Sequence, residues 1–219
     1  MDNATFKATL VALALCASGA ANADLGVGIK GGTLGFGLEG RWRPIPWLDM
    51  RIGINRFDYD NTGTQAGIDY DATLSLDTLY LTGNFRFPLS PFRITVGAFS
   101  NGNELQMSSQ DTGGADFDIG GATYSSSDVG TLKSVTSFAN TAPYLGVGFD
   151  FEIFGKAGIN LDFGVLWQGS PTVTMEADGL AANVPAFQDA LELERLELEN
   201  TVSDYKAWPV ISLGVVYNF

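Results

Sequence analysis

The last twelve residues, Trp208–Phe219, constrain the chain more than any other stretch. Ile211, Leu213, Val215, Tyr217 and Phe219 fall on one side, and Ser212, Gly214, Val216 and Asn218 on the other. A period of two residues means a β-strand with two unlike faces. The segment ends on one aromatic residue and carries another two positions earlier.

The same alternation recurs along the chain. Leu34, Phe36, Leu38 and Trp42 share a face in one segment, and Leu48, Met50, Ile52 and Ile54 in the next. Leu79, Leu81, Phe85 and Phe87 follow, then Phe92, Ile94, Val96 and Ala98, then Leu145, Val147, Phe149 and Phe151, then Ile159, Leu161, Phe163, Val165 and Trp167. Each apolar stretch has about the 9–11 residues that a tilted strand needs to cross a hydrocarbon layer. Seven strands are clear. An antiparallel barrel with both ends on one side closes with an even number. The eighth is therefore assigned to Leu25–Lys30, short for a crossing, with Gly31-Gly32 as its outer turn.

The expected fold is all-β: an eight-stranded antiparallel transmembrane barrel over residues 24–219. Twenty-seven glycines and few charges suit a barrel whose strands are apolar only at alternate positions. A soluble β-sandwich is the structural rival. Residues 1–23 read as a cleaved signal peptide: Lys7, an apolar Ala8–Ala17 and a small-x-small Ala21–Ala23 site. That implies the bacterial outer membrane as destination. Cys16, the single cysteine, lies in this segment behind Leu15, which argues against lipidation, and leaves no disulfide framework.

Connections fall into two classes. Arg43–Trp47, Pro88–Pro91 and Glu152–Ala157 are short and read as periplasmic turns; Asp58–Asp69, Gln106–Thr131 and Ala177–Lys206 read as long extracellular loops. Within the last, Ala186–Asn200 reads as an acidic helix capped by Asn183 with Pro185 in its first turn, although the Leu-Glu alternation also admits a strand. Tyr70, Ala72, Leu74 and Leu76 alternate on the opposite parity from Leu79 and Leu81, implying a bulge or an emergence from lipid. Interfacial girdles are expected from Trp42, Trp47, Phe87, Phe92, Phe151, Tyr217 and Phe219 at one level, and from Tyr144, Trp167 and Trp208 at the other. Pro143, Pro171 and Pro209 should mark where pairing relaxes.

Inward parity assigns Glu39, Arg41, Asp49, Arg51, Arg86, Arg93, Asp150 and Asp162 to the lumen, with Asn84, Asn160 and Gln168. Eight strands enclose a space that side chains just fill, so four arginines and four carboxylates should pair and plug it. A wet channel in which they never meet is the alternative. Excess acidity then lies outside, on Asp111, Asp116, Asp118, Asp128, Asp178, Glu192, Glu194, Glu197 and Glu199. A surface of one sign attracts cationic solutes, or is merely solvated.

Other motifs weigh less. Two Gly-x-Gly-x-x-Gly matches, Gly26-Gly28-Gly31 and Gly35-Gly37-Gly40, lack the helix that a dinucleotide site needs and read as lumen-facing glycines. The chain has no histidine, the common general base of outer-membrane hydrolases, so catalysis is not expected. A net charge of −13 argues against nucleic acid as a partner. Asp58, Asp60, Asp69 and Asp71 approximate a calcium loop, the one cofactor the sequence suggests, and an acidic hairpin is the plainer reading.

Three stretches go beyond generic barrel character: Ala142-Pro-Tyr-Leu-Gly-Val-Gly-Phe149, Gly169-Ser-Pro-Thr-Val-Thr-Met175, and Asp204 through the terminal Val-Val-Tyr-Asn-Phe219. With the acidic segment before the last strand they resemble the CarO type of outer-membrane protein, best over the last 80 or so residues, with Gly31–Gly35 as an earlier echo. The resemblance implies an eight-stranded monomeric barrel associated with uptake of ornithine-like basic amino acids and of carbapenems. The aromatic ending, Tyr217 and Phe219, resembles the signal read by the barrel-assembly machinery. Outer-membrane lipid and lipopolysaccharide are the implied surroundings. The reading is a narrow or closed channel for small cationic solutes, with a structural or adhesive barrel as rival.

Overall fold

The computed structural model describes residues 24–65, 68–110, 114, 116–153 and 156–219; residues 1–23 and Asp111 lie outside them. The alternating segments form strands β1 (Asp24–Gly32), β2 (Gly35–Ile45), β3 (Leu48–Gln65), β4 (Ile68–Arg86) and β5 (Phe92–Asn101). Late in the chain come β10 (Thr141–Ile153), β11 (Ala157–Trp167) and β13 (Ala207–Asn218). Each pairs antiparallel with its neighbours in the order β1-β2-β3-β4-β5-β10-β11-β13, and β13 pairs with β1. The sheet is a closed eight-stranded cylinder with no open edge through the membrane.

Registers align the apolar positions across strands. Ile29 lies opposite Leu38 and Val215, Ile52 opposite Leu81, and Phe163 opposite Val147 and Ile211. These side chains face outward as a belt, with Phe36 72% exposed. Exposure on that scale fits lipid rather than water as the outer solvent.

The eighth strand is longer than expected. β1 has nine residues and runs through Gly31 and Gly32. The turn lies instead at Thr33–Leu34, with Gly35 at φ +88°. The Thr33 hydroxyl donates to the Pro209 carbonyl at 2.8 Å, which ties this low rim to β13.

The long connections are not loops. β3 and β4 continue beyond the barrel as one ladder, from Leu48 opposite Phe85 to Gln65 opposite Ile68, with no register shift. The expected loop Asp58–Asp69 is therefore a hairpin, and no bulge separates Tyr70, Ala72, Leu74 and Leu76 from Leu79. The lumen-facing parity of β4 stays constant. Above the barrel that face turns apolar because protein covers it there.

The cover comes from the other two connections. β6 (Glu104–Ser109) pairs with β4, β9 (Leu132–Ser137) with β6, and β12 (Thr172–Ala177) with β9. Between β6 and β9 lie a small hairpin, β7 (Phe117–Ile119) with β8 (Ala122–Tyr124), and the single turn α1 (Ser126–Val129). Helix α2 (Pro185–Val202) buries Phe187, Ala190 and Leu191, spaced i, i+3, i+4, against Ile68, Phe117, Ile119 and Val129. Pro185 sits in its first turn, but Asn183 does not cap it: the capping position is Val184, without a side-chain bond. The cap is thus a second, folded layer with its own core.

Pro143 and Pro209 stand inside paired strands, yet each sits where one flanking ladder has stopped. The β10–β11 ladder begins at Tyr144, and the β13–β1 ladder ends at Ser212. The missing N–H of each proline costs no ladder bond there.

Candidate functional site: the barrel lumen

Alternation delivers all eight expected charged residues to the interior, and the strand registers bring them together. Asp49 and Arg51 come from β3, Glu39 and Arg41 from β2, Arg86 from β4, Arg93 from β5, Asp150 from β10 and Asp162 from β11. Arg51 Nε lies 3.1 Å from Asp49, its Nη2 3.1 Å from Asp150, and its Nη1 3.4 Å from Glu39. Arg93 Nε lies 3.1 Å from Asp150, and its Nη2 pairs with Asp162. Arg41 and Arg86 each approach Asp150 at 3.7 Å. Asn84 and Thr95 take Arg93 Nη1 at 3.0 and 2.6 Å. Asn160, with its amide turned to donate to the Gly214 carbonyl, accepts from Arg51 Nη1 at 3.1 Å.

Asp150 is the hub, with four arginines within 4 Å. Arg51 and Arg93 are wholly enclosed, so each charge depends on its partners for the solvation that water no longer gives. Room for Arg93 comes from Gly148 on the facing strand, where a Cβ would collide with the guanidinium.

Two residues complete the network beyond the expected set. Lys30 of β1 lies 3.9 Å from Glu39, with its ammonium 3.9 Å from the centroid of the Tyr80 ring. Tyr80 donates its hydroxyl to Glu39 at 2.8 Å. The parity of β1, with Ile29 outward, is the signal that sends Lys30 inward. Lys30 thus joins the four arginines and four carboxylates, and Arg43, Glu152 and Asp24 continue the same inward parities at the mouth.

Above the ionic layer the plug turns apolar. Tyr80 stacks on Phe99 at 5.0 Å between centroids, and Phe99 meets Tyr144 at 5.2 Å. Leu34, Ala142, Leu166 and Val210 close around them, with Trp208 packed alongside. This corrects two girdle assignments. Tyr144 is buried in the lumen, its ring filling space left by Gly146 and Gly164, and Trp208 also turns inward. Both occupy the inward parity of strands whose odd-numbered neighbours face lipid. The remaining girdle residues stand at the surface. Trp47, Phe85, Phe87, Phe92 and Phe149 form a chain of ring contacts of 5.3–5.9 Å around the short-turn rim. Trp42, Phe151, Tyr217 and Phe219 lie exposed at the same end, and Trp167 is exposed at the far end of β11.

The calcium-loop residues are not gathered. Asp58, Asp60, Asp69 and Asp71 share one face of the β3–β4 hairpin but sit on rungs opposite Ser75, Thr73, Thr64 and Thr62. Thr73 donates to Asp60 at 2.7 Å, Thr62 to Asp71 at 3.2 Å, and Thr64 to Asp69. Six residues separate the rungs of Asp58 and Asp69, about 20 Å along the strand. Among the described residues no three acidic side chains converge on one point.

The glycine motifs divide by parity. In the barrel wall Gly26, Gly28, Gly35 and Gly37 take the lumen side, while Gly31 and Gly40 share the parity of the lipid-facing Ile29 and Leu38 and do not face the lumen as expected. Several acidic cap residues are structural acceptors: Glu194 takes the Gly120 N–H at 3.1 Å, Asp178 that of Thr131 at 2.6 Å, and Glu199 that of Val173 at 3.2 Å.

A closed antiparallel cylinder with a lipid-facing belt and a side-chain-filled lumen defines an outer-membrane β-barrel protein. Among solved structures, Acinetobacter baumannii CarO2 superposes on 90% of this chain and 98% of its own, with a TM-score of 0.58 at 21% identity. A. baumannii CarO does so over 89% and 97%, with a TM-score of 0.56 at 21% identity. The CarO-type barrel that the carboxyl-terminal motifs resemble is the fold this chain adopts. No protein-family model and no curated protein sequence matches the chain.

Proposed function

We propose that the protein is a closed outer-membrane barrel that displays a folded acidic cap at the cell surface and holds no standing pore. The observation that carries this reading is the two-part plug: an ion-paired layer around Asp150 beneath a ring stack of Tyr80, Phe99 and Tyr144. The short turns and both described ends lie at one rim, which suits the periplasm, and the cap then faces outward. Tyr217 and Phe219 at that rim suit capture by the assembly machinery. Outer-leaflet lipopolysaccharide is the natural neighbour of the cap.

A second reading is a gated path for small cationic solutes such as basic amino acids. It is favoured by the acidity of the cap, whose exposed Asp58, Asp60, Asp69, Asp71 and Glu192 raise the local cation concentration. The arginines enclosed in the lumen, Arg51 and Arg93, oppose it. Planar-bilayer recording separates the two. The closed reading expects silence from the wild type and from Arg51→Ala; discrete cation-selective steps in the wild type, enlarged in Arg51→Ala, would establish the second.

A further inference from the structure

The short-turn mouth carries a basin of about 780 Å³ whose floor is the underside of the plug, Asp150 and Arg86. Arg43 and Arg86 face it, with Glu152 between them and Ile45, Phe87, Pro88 and Leu89 on the rim. The ion pairs here are looser than the tightest of those above and match the 3.7 Å approaches of Arg41 and Arg86 to Asp150. Glu152 lies 3.6 Å from Arg43 Nη1 and 3.9 Å from Arg86 Nη2, and Asp24 lies 3.5 Å from Arg43. The contacts of Arg51 and Arg93 with Asp150 are 3.1 Å. Unlike the plug carboxylates, those of the mouth are wet: the Glu152 and Asp24 side chains are more than half exposed, whereas the two arginines keep only 12% and 13% of their surface. Among the described residues Arg43 Nε and Nη2 and Arg86 Nη1 are enclosed without a hydrogen-bond acceptor, Arg86 Nη1 lying 3.8 Å from Asp49.

Two half-satisfied guanidinium groups thus hold a tethered carboxylate at the distance of a loose pair. Water competes well for such a pair, and a free carboxylate can bind both forks with shorter bonds. The rim adds an apolar requirement. Leu89 is fully exposed at the tip of the Pro88–Pro91 turn, where it takes φ 61°, a conformation that a leucine adopts only under constraint.

We propose that this mouth is a binding site for an apolar monocarboxylate, either the free carboxyl terminus of a peptide or a short acyl chain, and that Glu152 is its built-in stand-in. The ligand carboxylate bridges Arg43 and Arg86, Glu152 swings into solvent, and the apolar group rests on Leu89 and Phe87. The site opens beneath the plug, with which it shares Arg86, and does not depend on whether the lumen conducts; only the periplasmic origin of its ligand rests on the orientation given above.

The test is calorimetric titration of the full barrel in phosphatidylcholine nanodiscs with N-acetyl-Ala-Ala-Phe, its carboxamide, and butyrate. The free acid binds and the carboxamide does not; comparing the acid with butyrate assigns the peptide or the acyl source. Glu152→Gln, at an exposed position that leaves folding intact, tightens the free acid about fivefold by removing the competitor. The double variant Arg43→Ala/Arg86→Ala weakens it at least about tenfold, with heat-dependent electrophoretic migration verifying that the barrel is closed. Equal binding of acid and carboxamide overturns the proposal, as does an affinity unchanged by Glu152→Gln or an absence of saturable binding.

Discussion

Two carboxylates two residues apart on β10 show how burial sets the worth of a charge. Asp150 and Glu152 both point inward and both face arginines, yet Asp150 is buried in the plug while Glu152 reaches the mouth. Asp150→Asn keeps the volume and removes the charge, leaving Arg41, Arg51, Arg86 and Arg93 with one carboxylate fewer among them. Breaking a buried pair from one side costs about 3–5 kcal/mol, because the remaining charge stays enclosed. Glu152→Gln, in a wet and loose pair, costs at most about 1 kcal/mol. Urea unfolding of the refolded barrel in detergent micelles measures both. Similar small losses for the two variants would mean that water enters the plug. Residue by residue the lumen is legible in the sequence: each of the eight charged positions follows from counting by twos. What escaped was chemistry that counting treats as incidental. Lys30 ends the short eighth strand, where only the outward residues Leu25, Val27 and Ile29 signal a face, and the interfacial preference of Tyr144 and Trp208 hides a parity that points inward.

At the scale of elements, helix α2 guards an edge. β12 is the last strand of the cap sheet, and the N–H and C=O of Val173 point away from β9 toward no further strand. Two helix side chains take that place: Glu199 accepts from Val173 N at 3.2 Å, and Arg195 donates to Val173 O at 3.3 Å. Arg195 is itself fixed by Glu192 at 2.8 Å and Glu199 at 2.7 Å. An exposed strand edge invites pairing with another chain, and side chains that mimic a strand prevent it. The hydrogen bond from Arg195 holds the Glu192 carboxyl below its ordinary range, and the same contact raises the Arg195 guanidinium above its own. A depressed carboxyl contributes stability that is complete above the unfolded value, near 4.3, and is lost as pH falls through the lower folded value. The clip should therefore hold at neutral pH and loosen only below about pH 4. Amide hydrogen exchange read by mass spectrometry tests this. Protection of the β12 peptide, corrected for intrinsic rate, falls below that pH while barrel peptides stay protected, and Arg195→Ala removes the β12 protection already at pH 7. Retained β12 protection in Arg195→Ala would show that packing alone guards the edge. Sequence patterning saw this helix but not its use, because a Leu-Glu alternation says nothing about which strand it will cover.

The whole molecule joins two layers that obey opposite rules. The barrel wall is apolar outside and ionic within; the cap is polar outside and apolar within, and β3 and β4 pass through both without changing register. The wall was readable in sequence because lipid imposes one rule on every outward position over a fixed length. The cap was not, since its strands β6, β9 and β12 are six residues each and its partners come from three distant connections. Short alternations of Ser, Thr and Gln look like loop until the β4 edge that pairs with them is known. Closure of the barrel does not draw on that pairing. Ser100 pairs directly with Thr141, Phe99 with Ala142, and Ala98 with Pro143, so β5 and β10 meet without the segment between them. Replacing residues 103–139 by a short Gly-Ser turn should leave the eight-stranded wall intact while removing β6 and β9, on which β12 and α2 rest. The expected product still inserts in the outer membrane and still migrates differently before and after boiling in detergent, with a transition temperature within several degrees of the parent, since the paired lumen around Asp150 is untouched. Its cap, in contrast, becomes sensitive to protease at α2. If the truncated chain failed to close, the cap would be a template on which the barrel forms rather than a platform carried by it.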